Sequence, residues 1–185
     1  WWENEVVRGS YRLVLPVELP PGRYTLEVSL IDPATGAVQG ATASLGQVVV
    51  VALAPEHEDD LLFGGEIALL GHDIGHDGDE LVVTLYWRAQ TVPADSYKVF
   101  LQAVDADTGE VLSQHDGIPC GWACPTTGWE RGEVVLDEIR LPADAAQDAA
   151  LVVGLYGEQS LVRLTPTGPE AVLAQDGTAA QLWRP

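Results

Sequence analysis

Three stretches of the sequence gather residue types capable of chemistry. GHDIGHDGDE, at 71–80, sets Asp73, Asp77 and Asp79 among glycines beside His72 and His76. Clustered carboxylates in a glycine-containing loop can wrap Ca²⁺, which typically takes six to eight oxygens. A mixed His/Asp set would suit a transition metal instead. The spacing departs from the EF-hand loop and no closing bidentate Glu follows, so a solvated turn between strands competes with both. A second acidic turn, DADTGE at 105–110, is explained by a hairpin alone. Further on, Ser113, His115 and Asp116 invite a hydrolase reading, but no G-x-S-x-G elbow supplies a nucleophile. His115 and Asp116 are retained as ligand-binding candidates. The third stretch is IPCGWACPTTGW, with Cys120 and Cys124 four apart in a Gly/Pro-rich loop. A small disulfide ring, free thiols and a metal ligand pair are all open; a ring would place the protein in an oxidising compartment, outside the cytoplasm. At its tip Trp122 is a candidate platform for a sugar or a protein contact. Trp1, Trp2, Trp129 and Trp183 share its loop or terminal setting.

The charge narrows the partners. Asp and Glu number 28 against 9 Lys and Arg, a net charge of −19. Such a surface repels phosphate backbones and anionic headgroups, so nucleic acid and membrane insertion are not expected, while a divalent cation or cationic partner is favoured. No run approaches the ~18 apolar residues needed to cross a bilayer.

The elements that must position these residues read as strands. LVVTLYWR sets Leu81, Val83, Leu85 and Trp87 on one side and Val82, Thr84, Tyr86 and Arg88 on the other. YKVFLQAV alternates again, with Tyr97, Val99, Leu101 and Ala103 against Lys98, Phe100, Gln102 and Val104. Period-two alternation rich in β-branched and aromatic residues predicts an antiparallel pair with one face in a core. Further strands are expected at 6–15, 23–31, 46–53, 66–70, 110–115, 133–141 and 150–156, with weaker ones near 161–164 and 179–183. DAAQDAA (144–150) is too short for a stable helix. The fold class expected is all-β: an antiparallel β-sandwich, Ig-like or carbohydrate-module-like.

WENEVVRGSYRL from Trp2 matches WERGEVVLDEIRL from Trp129 once one residue is allowed for, and 25–32 then falls opposite 150–157. Residues 1–54 therefore read as an N-terminal half-module repeating about 128–180, followed by a linker at 55–60 and a complete module at 61–185. Half a sandwich exposes an apolar face and open strand edges. That face is expected to meet a protein partner or another copy, which in a repeated arrangement builds an array or filament.

PPGRYTLEVSLIDPATG, LLGHDI with GDELVVTLYWRA, VFLQAVDADTGEVLSQHDG and PTTGWERGEVV together resemble a module of large membrane proteins of Chloroflexi-type bacteria. There it looks like the extracytoplasmic C-terminal region of glycosyltransferases of the dolichyl-phosphate-mannose mannosyltransferase type. The resemblance, over about residues 20–160, implies a β-rich extracytoplasmic module. It carries no catalytic residue onto this chain, which also lacks the multi-span membrane portion where glycosyl transfer would reside. The expectation is a non-enzymatic, extracellular or cell-surface structural or interaction module. A carbohydrate-binding accessory domain, with or without Ca²⁺, is the alternative.

Overall fold

The structure, a computed structural model, describes residues 13, 15, 19–20, 22–50, 54–169, 172–174 and 177–183. The chain divides into two compact units, Glu18–Ala54 and a larger one that includes Pro55–Pro185.

The larger unit is an antiparallel β-sandwich. Its strands are β3 (His57–Phe63), β4 (Ile67–Asp77), β5 (Glu80–Ala89), β6 (Tyr97–Asp105), β7 (Val111–Gly117), β8 (Val134–Pro142), β9 (Ala149–Gly157), β10 (Pro166–Thr167), β11 (Leu173–Ala174) and β12 (Ala179–Trp183). One sheet runs β10-β3-β4-β5-β8 and the other β11-β12-β9-β6-β7. A single helical turn, α1 (Ala143–Ala146), joins β8 to β9 across the sheets.

The alternation decides which faces meet. Leu81, Val83, Leu85, Trp87 and Ala89 of β5 are buried against Val99, Leu101 and Ala103 of β6 and Leu151, Val153 and Leu155 of β9 in one cluster drawn from both sheets. Burial of each such side chain contributes on the order of 1.5–3 kcal/mol. The opposite face of β6 is not left to solvent. Phe100 and Val104 pack with Ala150, Val152 and Ala179 in a second cluster, and the Arg163 guanidinium lies 4.6 Å over the Phe100 ring. Opposite Phe100 in the ladder stands Gly154, where any Cβ would collide with the ring.

Two expectations are corrected here. Residues 71–77 are the second half of β4, not a loop, and the turn is confined to Gly78 and Asp79, with Gly78 at φ +60°. A left-handed first residue suits a two-residue hairpin turn, which is why glycine stands there. The segment expected as a linker at 55–60 contains the start of β3. β3 and β4 each carry a register shift, between Glu58 and Leu61 and between Leu69 and Gly71. Because strand side chains alternate, the shift in β4 exchanges which parity faces the core. Ile67 and Leu69 lie inward before it, and His72 lies inward after it.

The smaller unit is a ribbon of β1 (Gly22–Ile31) and β2 (Val38–Val50), antiparallel and two-stranded. Its turn is shared in detail with β6–β7. Asp32 and Asp105 each accept two backbone N–H bonds on Oδ1, from Ala34 and Thr35 and from Asp107 and Thr108. Gly36 and Gly109 sit at φ +71° and +72° and donate to the carbonyls of those same aspartates, each at 2.8 Å. In sequence Tyr24, Asp32, Thr35, Gly36 and Val38 stand where β6–β7 has Tyr97, Asp105, Thr108, Gly109 and Val111. Of the expected repeat, the block from Trp2 and the strand at 6–15 fall mostly outside the described residues.

Gly154→Ala is expected to cost about 1–3 kcal/mol in urea unfolding. Most of that loss should return in a Phe100→Leu background, where the collision is relieved.

Candidate functional site

The residues singled out for chemistry sit in three places, each already occupied by an internal partner. Asp73 accepts a hydrogen bond from the Glu56 N–H at 2.6 Å and from the Tyr86 hydroxyl at 2.5 Å. The hydrogen bond to Asp73, aided by burial, pushes the Tyr86 phenol up to about 12. Asp77 is paired with Arg140 at 2.8 Å, and that guanidinium also meets Glu80 and Glu138. Asp79 lies in the turn, where its carbonyl accepts from Ala143 N–H. Asp73 and Asp77 share a face of β4 but stand four residues apart on an extended strand, and Asp79 lies in the turn beyond it, so the three do not converge. Among the described residues no group of three or more His, Cys, Asp or Glu is arranged to hold a metal ion.

His72 faces the core opposite Leu85, with 3% of its surface exposed. Its Nδ1 lies 2.6 Å from Asp59 Oδ2, and the His57 ring stacks on it at 4.9 Å. The β3 register shift lies at Asp59 and Asp60, which brings the Asp59 carboxylate to this buried imidazole. A histidine oriented by a carboxylate is two-thirds of a hydrolytic triad, yet its ring neighbour is another imidazole, not a nucleophile.

Cys120 and Cys124 form a disulfide with their Cα atoms 5.5 Å apart. By the chain-entropy estimate so short a ring contributes about 2 kcal/mol, so it is a local staple. The ring is pinned at its base by the Cys120 N–H, which donates to Asp137 Oδ1 at 2.7 Å. Asp137 lies on the inward face of β8 opposite Leu85 and is 3% exposed. Burial pushes its carboxyl above the usual carboxylate range. The Cys120 N–H, the His115 ring and the Trp87 indole oppose that shift, although the Trp87 N–H has no partner at hydrogen-bond distance.

Trp122, at φ +74°, is 59% exposed. The Lys98 ammonium stands 5.0 Å from its ring centroid, and Gly117 lies along its Nε1 edge. His115 and Asp116 project to opposite faces of β7. Asp116 is bonded by the Tyr156 hydroxyl on the outer face, while His115 shares the inward register with Ser113. Ser113, His115 and Asp116 are therefore not brought together. Trp129, which the sequence places in a loop, is a core residue whose indole N–H donates to the Cys124 carbonyl at 3.1 Å. Trp1 and Trp2 lie outside the described residues.

No family model, curated protein or solved structure matches the chain. Among the described residues no helix is long and apolar enough to cross a membrane.

Sequence reasoning missed Asp137 and Asp59 as structural acids. The signal for Asp137 was present: it shares parity with Val135, Ile139 and Leu141 on β8. Asp59 gave none, because its inward aim depends on a register shift.

The buried Asp137 carboxyl has a thermodynamic consequence. A carboxyl whose folded pKa exceeds its unfolded one keeps its proton longer in the folded state. Its contribution is then most favourable in acid and is lost as pH rises from about 4 through the folded value. Asp137→Asn keeps an acceptor for the Cys120 N–H and removes the charge. Its stability relative to wild type is expected to improve steadily from acid to neutral pH, read as denaturant midpoints; a pH-independent difference would contradict the burial account.

Proposed function

We propose that this chain is a non-catalytic interaction module that works outside the cytoplasm and engages a protein partner, including another copy of itself, through the β1–β2 ribbon. The observation that carries this reading is the ribbon's exposed apolar surface. Leu30 is 72% and Leu45 68% exposed, and Val28, Ile31 and Val38 are exposed beside them. Among the described residues β1 pairs only with β2. An isolated two-stranded hairpin is marginal in water, and an open apolar edge is a template for further pairing.

The β6–β7 hairpin, which has the same turn, supports this reading. In the sandwich, β6 has β7 on one edge and β9 on the other. Tyr97, Val99, Leu101 and Ala103 face a second sheet, and their counterparts in β1 are Tyr24, Leu26, Val28 and Leu30. β-Strand addition at β1 would supply a ladder, and an apolar surface across the ribbon a facing sheet, that the ribbon lacks among the described residues. The disulfide supports an oxidising compartment. The likeness of the quoted motifs to the extracytoplasmic module of membrane glycosyltransferases supports the same setting.

A glycan at Trp122 is the second reading, favoured by that ring's exposure. A sugar stacking there would take the face away from Lys98 or displace it.

Analytical ultracentrifugation tests the first reading. The wild-type chain is expected to show concentration-dependent association, and the Leu30→Lys, Leu45→Lys double variant to remain a monomer of unchanged stability, since both side chains are exposed. A variant that associates like wild type would remove the ribbon from the account. For the second reading, a glycan-array signal that vanishes in Trp122→Ala is expected; a signal indifferent to that change would exclude the ring.

A further inference from the structure

The sandwich is open at the end where β5 begins and β8 finishes. β3 pairs with β4 only as far as His57 opposite His72, so among the described residues β4 from Asp73 to Asp77 is paired on its β5 side alone. In the other sheet the ladder of β12 on β9 runs, among the described residues, only as far as Leu151. The single turn α1, whose Ala143 N–H is tied to the Asp79 carbonyl, bridges the gap without filling it. What remains is a half-open cavity of about 660 Å³, within the usual range for small-molecule sites.

The lining is apolar at its floor and polar at its walls. Ile74, Leu81 and Leu151 form an apolar floor continuous with the core between the sheets. Asp144 and Asp148 stand at the wall given by α1 and the connection after it, His57 and His76 line the cavity as well, and no Lys or Arg does. Asp148 is held at φ +62°, a backbone conformation that non-glycine residues seldom adopt. The whole chain carries a net charge of −19, which concentrates cations around the mouth.

We propose that this cavity binds a small amphiphilic cation: an apolar body seated on Ile74, Leu81 and Leu151, with an ammonium head toward Asp144 and Asp148. The apolar floor supplies most of the affinity through surface removed from water. The carboxylates supply the choice between a cation and a neutral or anionic head of the same length. Because both acids are exposed, each ion pair is worth little, and selectivity rather than tight binding is the signature.

Octylammonium, octanol and octanoate serve as probes, with methyl NMR shifts of Ile74, Leu81 and Leu151 as the readout. Octylammonium is expected to bind about three- to tenfold more tightly than octanol, and octanoate more weakly than either. The Asp144→Asn, Asp148→Asn double variant should bring octylammonium to the level of octanol while leaving octanol unchanged. Both positions lie on the surface, so the variant is expected to fold as wild type. Absence of methyl shifts with octylammonium would overturn the site. Equal affinity of octylammonium and octanol for wild type, or a preference that survives the double variant, would overturn the role of the two carboxylates.

Discussion

The constraint on which the fold depends is that two sheets must close over the odd-numbered face of β5. Leu81, Val83, Leu85, Trp87 and Ala89 are all buried there, and β5 is flanked by β4 and β8 along its whole length. A strand with neighbours on both edges and a second sheet on its inner face leaves little freedom to what surrounds it. β6 and β9 must present Val99, Leu101, Val153 and Leu155 at matching depth. The polar residues that remain must then find partners at the edges or within the loops.

Those partners explain why so many acidic side chains serve the structure. Arg140 alone joins Asp77, Glu80 and Glu138 across β4, β5 and β8. Being exposed, this group adds little stability per pair, but it relieves repulsion where three carboxylates would otherwise crowd. Asp137 does a different job. It takes a position that alternation assigns to a hydrophobe and uses it to anchor the disulfide ring through Cys120. Trp129 and Thr126 complete that anchorage. The Trp129 indole holds the Cys124 carbonyl, and the buried Thr126 hydroxyl links the Asp95 carbonyl to the Tyr97 N–H. The base of the loop is thus tied into both sheets while Trp122 stays exposed at its tip.

The sandwich was legible in the sequence wherever side-chain parity was regular. β5, β6, β8 and β9 stand within a residue or so of where alternation predicts them, and the hairpin turns follow from Asp, Thr and Gly at fixed offsets. β4 was not legible beyond Leu70. Two glycines, two histidines and two aspartates within 71–77 mimic loop composition, and the register shift before Gly71 breaks the parity that would have revealed a strand. The same physics hid the site residues. Asp59 reaches His72 only because β3 slips, and a metal reading of Asp73, Asp77 and Asp79 presumed a loop where the backbone is extended. Trp129 is legible only as a loop residue, because loop position says nothing about which way an indole points, and here it points into the core.

The ribbon is the counterpart to the buried core. β1–β2 repeats the backbone hydrogen bonds of the β6–β7 turn, yet Val28 and Leu30 are exposed where Leu101 and Ala103 are buried. One hairpin has its edge strand and facing sheet, and the other has, among the described residues, neither strand nor burial for those positions. Hydrogen exchange tests this contrast most directly. At low protein concentration, without partner, the amides of β5, β6 and β9 should exchange at the rate of global unfolding and those of β1 far faster, with β1 gaining protection as concentration rises or a partner is added. Protection of β1 equal to that of β5 in the dilute monomer would show the ribbon to be already complete and contradict the account.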